Sequence, residues 1–348
     1  MPLTPLYAAG SSLRWLGVKP KRLGWPVASV GSLSAGGAGK TPFVIALAKL
    51  LKERGIAVDV LSRGYGRPDT GAARVDPMGT AEEFGDEPLL IALEAGVPVF
   101  VGARRFEAGR LAEAELKQAH SSGPEGPRIS GRLDAGAEAP AYLALPAGQP
   151  IGFHLLDDGF QHRQLARNVD IVLVSSADME DWLLPAGNRR ETLGALRRAD
   201  VLAVAVGDDA AVERLRGKGL RQPVWRFRRE MVVPEVIGPV LAFCGIARPE
   251  QFFTGLERGG VSVVERRVFG DHHRFSGGDL AGLREMAART GAVALMTTAK
   301  DRVRLGSRVE ELGVPVLVAG LRVVFEDKDE VVGGAASAVR FGIFSKLN

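Results

Sequence analysis

The stretch VGSLSAGGAGKTPF, residues 30–43, decides the fold. It continues the apolar run VASV, which predicts a strand over 27–30, and leads into Phe43, Leu47, Leu50 and Leu51, which mark one face of a helix. Gly31, Gly36, Gly37 and Gly39 let backbone N–H groups curl around an anion at the positive end of that helix. Pro42 suits a first helical turn, where no N–H is needed. The strict pattern G-x-x-x-x-G-K-[ST] is not met, because Ser34 stands where its first glycine belongs. The strand before and the helix after supply the context the motif requires. Residues Gly36, Gly37, Ala38, Gly39, Lys40 and Thr41 are therefore expected to cradle a nucleotide, with Lys40 on the outer phosphates and the Thr41 hydroxyl on Mg2+.

Such a loop needs an acid at the end of a neighbouring strand to hold the metal. IGFHLLDDGFQH, residues 151–162, is an apolar run ending in Asp157 and Asp158. Two adjacent acids often just mark a turn, but acids ending a buried run are costly unless they meet a cation. ATP or GTP with Mg2+ is the ligand these two motifs predict together.

Short apolar runs alternate with helical patterns along the chain. Strands are expected at 27–30, 56–61, 97–101, 151–156, 169–174 and 200–206, and helices at 41–54, 86–95, 104–119 and 192–198. This predicts an α/β fold of the P-loop NTPase type, a mostly parallel sheet with helices on both faces. Further strands near 239–244, 261–269, 292–297 and 314–319, with helices near 248–258 and 278–290, predict a second, smaller α/β lobe. The expected division is residues 1–222 and 223–348. Residues 121–150 are rich in glycine and proline and are expected to be a loop or insertion.

At 348 residues there is room for about two domains. An apolar share of 46% with 25% charged residues is a globular balance. Cys244 is the single cysteine, so no intrachain disulfide can form and a reducing compartment is expected. No run approaches the length of a membrane span, and residues 1–25 lack the core of a signal peptide. The net charge of +4 is small, but Arg14, Lys19, Lys21, Arg22, Lys40, Lys49 and Lys52 all precede the first acid, Glu53. In TPLYAAGSSLRWLGVKPKR, Leu6, Ala9, Leu13 and Leu16 recur at helical spacing beside Trp15 and a basic flank. That helix either lies on a lipid surface or packs on the body of the protein. No aromatic-interleaved basic motif points to nucleic acid.

A phosphate acceptor needs a base near its hydroxyl. Among His120, His154, His162, His272 and His273, the pair in FGDHHRF follows a strand and would serve as a base, a phosphate donor or simply a surface turn. EEFGDEPLLIA puts Asp86 and Glu87 before Pro88 at a helix start, where acids also serve as ordinary capping groups. SRGYGR, residues 62–67, sets Arg63 and Arg67 around two glycines, suited to a phosphorylated substrate or to a plain loop.

The ordered set VGSLSAGGAGKTP, LSRGYGR, GDEP, LLDDGFQHR, LLPAGNRRE, FCGIARPEQFF, DHHRF and MTTAKD resembles the tetraacyldisaccharide 4'-kinase family, from about residue 5 to residue 325. The missing first glycine is a feature of that family too. The resemblance implies transfer of the ATP γ-phosphate to the 4'-hydroxyl of a tetraacylated, 1-phosphorylated glucosamine disaccharide at the cytoplasmic face of the bacterial inner membrane. It implies that Asp86 and His272 form the dyad that activates the acceptor, and that Thr41, Asp157 and Asp158 hold the metal. Arg63, Arg67, Glu87 and His162 become candidate substrate contacts, with the two arginines on either the acceptor's phosphate or the nucleotide's. An acylated substrate also favours the amphipathic amino-terminal helix as a surface anchor. Ser32 stands where the family usually carries asparagine. The rival reading is a P-loop switch or partitioning ATPase with a protein partner, but the signature lysine of that class would fall on the neutral Ala35.

Overall fold

The computed structural model describes residues 17–121 and 152–335. The amphipathic stretch up to residue 16 and the glycine- and proline-rich segment from residue 122 to 150 lie outside the described residues. Among the described residues, no helix is long and apolar enough to cross a membrane.

The first part of the chain runs β1 (Val27–Ser32), α1 (Lys40–Glu53), β2 (Ala57–Ser62), β3 (Ala73–Arg74), α2 (Ala81–Phe84), α3 (Asp86–Ala95), β4 (Val99–Val101) and α4 (Arg105–Ser121). It continues through β5 (Gly152–Asp157), β6 (Val169–Leu173), α5 (Ser176–Glu180), β7 (Val201–Ala205) and α6 (Asp209–Gly217), with a 3-10 turn at Leu193–Arg198 where a helix was expected. The second part contains β8 (Val224–Val232), β9 (Val240–Cys244), α7 (Pro249–Arg258), β10 (Val263–Val268), α8 (Gly277–Thr290), β11 (Ala294–Thr298), α9 (Ala299–Leu305) and β12 (Val316–Phe325).

Twelve strands among the described residues form one sheet in the order β10-β9-β11-β12-β8-β7-β6-β1-β5-β2-β4-β3. Neighbours are parallel except β3 with β4 and β8 with β12. Alternate strand residues enter different apolar clusters, because the pleat sends successive side chains to opposite faces. On β6 and β7, Ile171, Leu173, Val201 and Ala203 pack into the cluster that holds Phe43, Val44 and Leu47 of α1, while Val172, Leu202 and Val204 join Leu215 of α6. On the other side of β1, Leu61, Phe100 and Leu156 pack against Ala108 and Ala112 of α4. Both faces are covered, which is why these strands read as nearly continuous apolar runs.

The second part repeats the scheme. Leu241 and Phe243 of β9 face Leu280 and Leu283 of α8, and Val240, Ala242 and Cys244 face Phe252, Phe253 and Leu256 of α7. β8 and β12 connect the two parts. β12 extends past the expected end at 319: residues 316–319 pair with β11, and residues 320–325 pair antiparallel with β8, whose own start lies parallel against β7. In β8, Trp225 and Phe227 point inward between arginines.

The strand order reverses at β1, which lies between β5 and β6. At such a switch point the carboxyl ends of the strands open a crevice for a ligand. The loop of residues 33–39 and Asp157 both emerge there.

Candidate active site

Gly36, Gly37 and Gly39 adopt φ of 66°, 59° and 76°, a left-handed conformation that side chains resist. Gly39 caps α1, so Lys40 and the buried Thr41 open the helix at its positive end. Ser34 is not left-handed, which removes the need for glycine there. Its hydroxyl donates to Asp178 Oδ1 at 2.6 Å, and the loop is stitched to the LLPAGNRRE segment by Ala35 N to Asn188 O (2.8 Å) and Arg190 N to Leu33 O (2.7 Å). Ser32, at the family's asparagine position, donates to Ser34 O and lies 3.4 Å from Lys40 Nζ.

Lys40 Nζ is also 3.4 Å from Asp158 Oδ1, and Arg190 forks onto both Asp158 oxygens at 2.9 and 2.7 Å. Burial alone would raise Asp158, yet Lys40 and Arg190 hold its carboxyl well below the usual carboxylate range. Its neighbour behaves in the opposite way. Burial, with Glu87 and Asp158 close by, pushes Asp157 up to about 7. Ser62 donates to Asp157 Oδ2 at 3.2 Å, while the buried Oδ1 has no hydrogen-bond partner. An orphaned, buried carboxylate oxygen beside the loop fits a divalent cation, which would supply the missing contact.

Asp86 begins α3 and is buried. Its Oδ2 faces His272 Nδ1 at 3.0 Å and accepts from Arg304 Nε (2.8 Å) and Nη2 (2.5 Å), and its Oδ1 accepts from Glu87 N at 2.9 Å. Burial opposes ionisation here, but the His272 hydrogen bond and the charges of Arg304 and Lys300 carry Asp86 far below its ordinary value. The hydrogen bond to Asp86 in turn raises His272. Asp158 and His272 are the described non-glycine residues with positive φ, 48° and 56°. Backbone strain of about 1 kcal/mol or more at each is the kind that functional sites retain.

The two parts of the chain meet at this point. Besides His272 and Arg304 on Asp86, Lys300 Nζ lies 2.5 Å from Glu87 Oε1. Glu87 and Lys300, which neighbour the dyad, and Lys40 of the phosphate loop all act electrostatically on Asp157.

The remaining candidates are distributed around this centre. Arg63 is exposed and close enough to Arg105 to disfavour its charge. Arg67 braces its own loop, with Nε donating to Glu83 O (2.8 Å) and Nη1 to Gly71 O (3.2 Å). His162 lies in the turn after the aspartates, where its N–H donates to Gly159 O and its carbonyl accepts from Arg167. His273 stacks on Phe269 and contacts Asp279, away from Asp86.

Residues that spacing did not single out complete the site. Arg105 is buried beside Asp157 and Asp158 and is lowered to about 10 by burial and by Arg63. Arg229 donates to Ala38 O at 2.7 Å from the other part of the chain. Arg304 is fixed by Gly245 O (2.6 Å) and by the buried Asp301 (2.9 Å), which also accepts from Thr298 Oγ1 (2.6 Å) and Gly245 N (3.1 Å). MTTAKD and FCGIARPEQFF thus contain the residues that hold Arg304, although Arg304 lies just beyond the first of them.

The sequence profile described as tetraacyldisaccharide-1-P 4'-kinase matches residues 1–334. A tetraacyldisaccharide 4'-kinase of Koribacter versatilis is 40% identical over 343 residues, covering 94% of this chain and 95% of its own. One from Anaeromyxobacter dehalogenans is 38% identical over 311 residues, covering 82% of this chain and 73% of its own. The crystal structure of the "apo" form of LpxK from Aquifex aeolicus in complex with ATP superposes with a TM-score of 0.69 at 30% identity, over 97% of this chain and 98% of that one. With nearly all of the chain matched in sequence and in fold, this protein belongs to the tetraacyldisaccharide-1-P 4'-kinase family.

Proposed function

We propose that the protein transfers the γ-phosphate of ATP to the 4'-hydroxyl of a tetraacylated glucosamine disaccharide 1-phosphate. The observation that carries this reading is the meeting of Asp86 with His272, from distant parts of the chain, beside Glu87 and Lys300, which act on Asp157 together with Lys40 of the phosphate loop.

The loop amides of residues 36–39 and Lys40 bind the triphosphate. Thr41, Asp157 and Asp158 would hold Mg2+, which would neutralise charge on the phosphates. Asp157, with its unpartnered oxygen, is the stronger donor; Asp158 is shared with Lys40 and Arg190. Asp86 stays ionised and accepts a hydrogen bond from His272 Nδ1–H, which leaves Nε2 to take the proton of the acceptor hydroxyl. Arg63 remains open to a phosphate, while Glu87 fixes Lys300.

The lobes are residues 1–222, carrying the phosphate loop, and residues 223–348, carrying His272. The amino-terminal amphipathic stretch brings the enzyme to the cytoplasmic face of the inner membrane, where an acylated acceptor resides.

Incubation with labelled ATP, Mg2+ and the lipid disaccharide in detergent micelles, followed by product analysis, tests the reading. Label on the 4'-oxygen is expected. ATP hydrolysis that ignores the lipid and responds to a protein partner instead would establish the switch ATPase.

A further inference from the structure

Resting on the kinase reading, we infer that Arg248 is a phosphate-contacting arginine delivered by the second lobe to the transferring phosphoryl group. It belongs to FCGIARPEQFF, a motif that the site described so far uses only through the backbone of Gly245.

Arg248 lies against the phosphate loop. A Cβ built on Gly37 would come within 2.7 Å of Arg248 Nε, and one on Gly36 within 3.7 Å of Ala247 Cβ. Arg248 is exposed, and its guanidinium makes no hydrogen bond or ion pair among the described residues. Its surroundings are electrostatically wrong for a cation. It occupies the N-cap of α7, the positive end of a ten-residue helix, where acids and small polar residues are normally favoured. Arg229, itself disfavoured by burial and by Arg248, is its charged neighbour. The positive end of α1, with Lys40, follows directly on the same loop.

Arg229 is accounted for by Ala38 O, so it serves the shape of the loop. Nothing among the described residues accounts for Arg248. Positive groups from two lobes converge on a loop built for anions, and an anion between them relieves the repulsion. A planar guanidinium on a developing phosphoryl charge is worth more in the transition state than in the ground state. In that step the acceptor oxygen bonds to the γ-phosphorus as its bond to the β–γ bridging oxygen breaks. ADP leaves with that electron pair, and the hydroxyl proton passes to His272. Because Arg248 comes from the second lobe, it ties turnover to the lobe arrangement that also brings His272 to Asp86.

The test compares wild type with Arg248→Ala, Arg248→Lys and, as a control at the far end of α7, Arg258→Ala. Each is titrated with ADP and with ADP plus aluminium fluoride, a flat phosphoryl mimic, and assayed for lipid phosphorylation. Wild type is expected to bind the mimic at least about tenfold tighter than ADP, as transition-state mimics do. Arg248→Ala should keep ADP affinity within about threefold, lose the tightening, and turn over about a hundredfold slower, the usual effect of one removed charge stabiliser. Arg258→Ala should match wild type. A parallel loss of ADP and mimic affinity would make Arg248 merely structural, and turnover within about threefold of wild type would give it no role; either overturns the inference. If thermal melting shows that the alanine variant does not fold, Arg248→Lys decides. Turnover below about a tenth of wild type supports the planar fork, and full turnover overturns it. A wild type that binds no ATP defeats the kinase reading and this inference together, whereas an active wild type with an indifferent variant defeats this inference alone.

Discussion

The Asp86 carboxylate is surrounded by donors: His272, two guanidinium nitrogens of Arg304 and the Glu87 N–H. A carboxylate so well satisfied is a poor proton acceptor and a good orienting anion. Asp86→Asn should therefore lower phosphoryl transfer by roughly 10²- to 10⁴-fold, and His272→Gln likewise, with the double variant little worse than either because the two act as a unit. Nucleotide titrations should show ATP affinity nearly unchanged in all three; a large loss of affinity would place the dyad in nucleotide binding instead. The sign of the pH effect follows from the raised His272. The base must be neutral, so kcat/KM falls as pH drops through a value above the ordinary imidazole pKa of about 6.5. In Asp86→Asn the main cause of the elevation is gone, and the acid limb should move to lower pH; an unmoved limb would mean that another group controls it. Arg304→Gln should move that limb the opposite way, to higher pH, because the Arg304 charge opposes protonation of His272, while kcat falls and the KM for ATP is held. Asp86 and His272 were legible because each sits in a short, distinctive motif. Arg304 was not, because its partner is 218 residues away and no spacing along the chain reports such a contact.

At the scale of elements, β2, β5 and α4 hold a second charged group that chemistry does not use. The fully buried His154 places Nδ1 2.7 Å from Asp59 Oδ1 and Nε2 3.6 Å from Glu113 Oε1, and Trp25 stacks on its ring. Burial disfavours the imidazolium, but Asp59 and Glu113 outweigh it and raise His154 to about 9. A folded value above the unfolded one stabilises the protein fully below pH ~6.5, and that contribution disappears as pH rises through about 9. Asp59 is itself raised, burial outweighing the attraction of His154. Urea unfolding should accordingly show stability falling between about pH 6.5 and 9 by on the order of 3 kcal/mol, and His154→Gln should be less stable with that slope flattened. Identical slopes in the two proteins would show that the cluster is not charged. The strand carrying His154 was legible from its apolar run, whereas β8 was not. Its inward Trp225 and Phe227 alternate with Arg226 and Arg228, which break the continuous run expected of a strand buried on both faces. Only pairing with β7 and β12, invisible in local pattern, reveals it as the strand that joins the two parts.

Across the whole molecule, the described residues that follow the amino-terminal stretch are fastened to the body beside that same cluster. Glu113, which faces His154, accepts the Trp25 N–H at 2.8 Å, and the backbone of Lys21 is bridged to Leu165. Lys21 Nζ also rests 4.9 Å from the centre of the Phe106 ring, so residue 21 belongs to the folded body although spacing grouped it with the basic flank. A truncation that tests the amino-terminal stretch as a surface anchor should therefore end at residue 16, leaving this attachment whole. Residues 1–16 contain Leu6, Leu13, Trp15 and Leu16 with Arg14, the composition of a segment that partitions into an anionic interface. Their removal is expected to reduce sedimentation with anionic vesicles at least about tenfold while changing ATP affinity less than about twofold, since burying a few apolar side chains in the interface supplies most of such binding. The KM for an acylated acceptor presented in vesicles should rise, with kcat in detergent micelles close to that of the full chain. Unchanged vesicle sedimentation would assign surface attachment to the folded body, and a matching fall in ATP affinity would show that the stretch supports the fold instead.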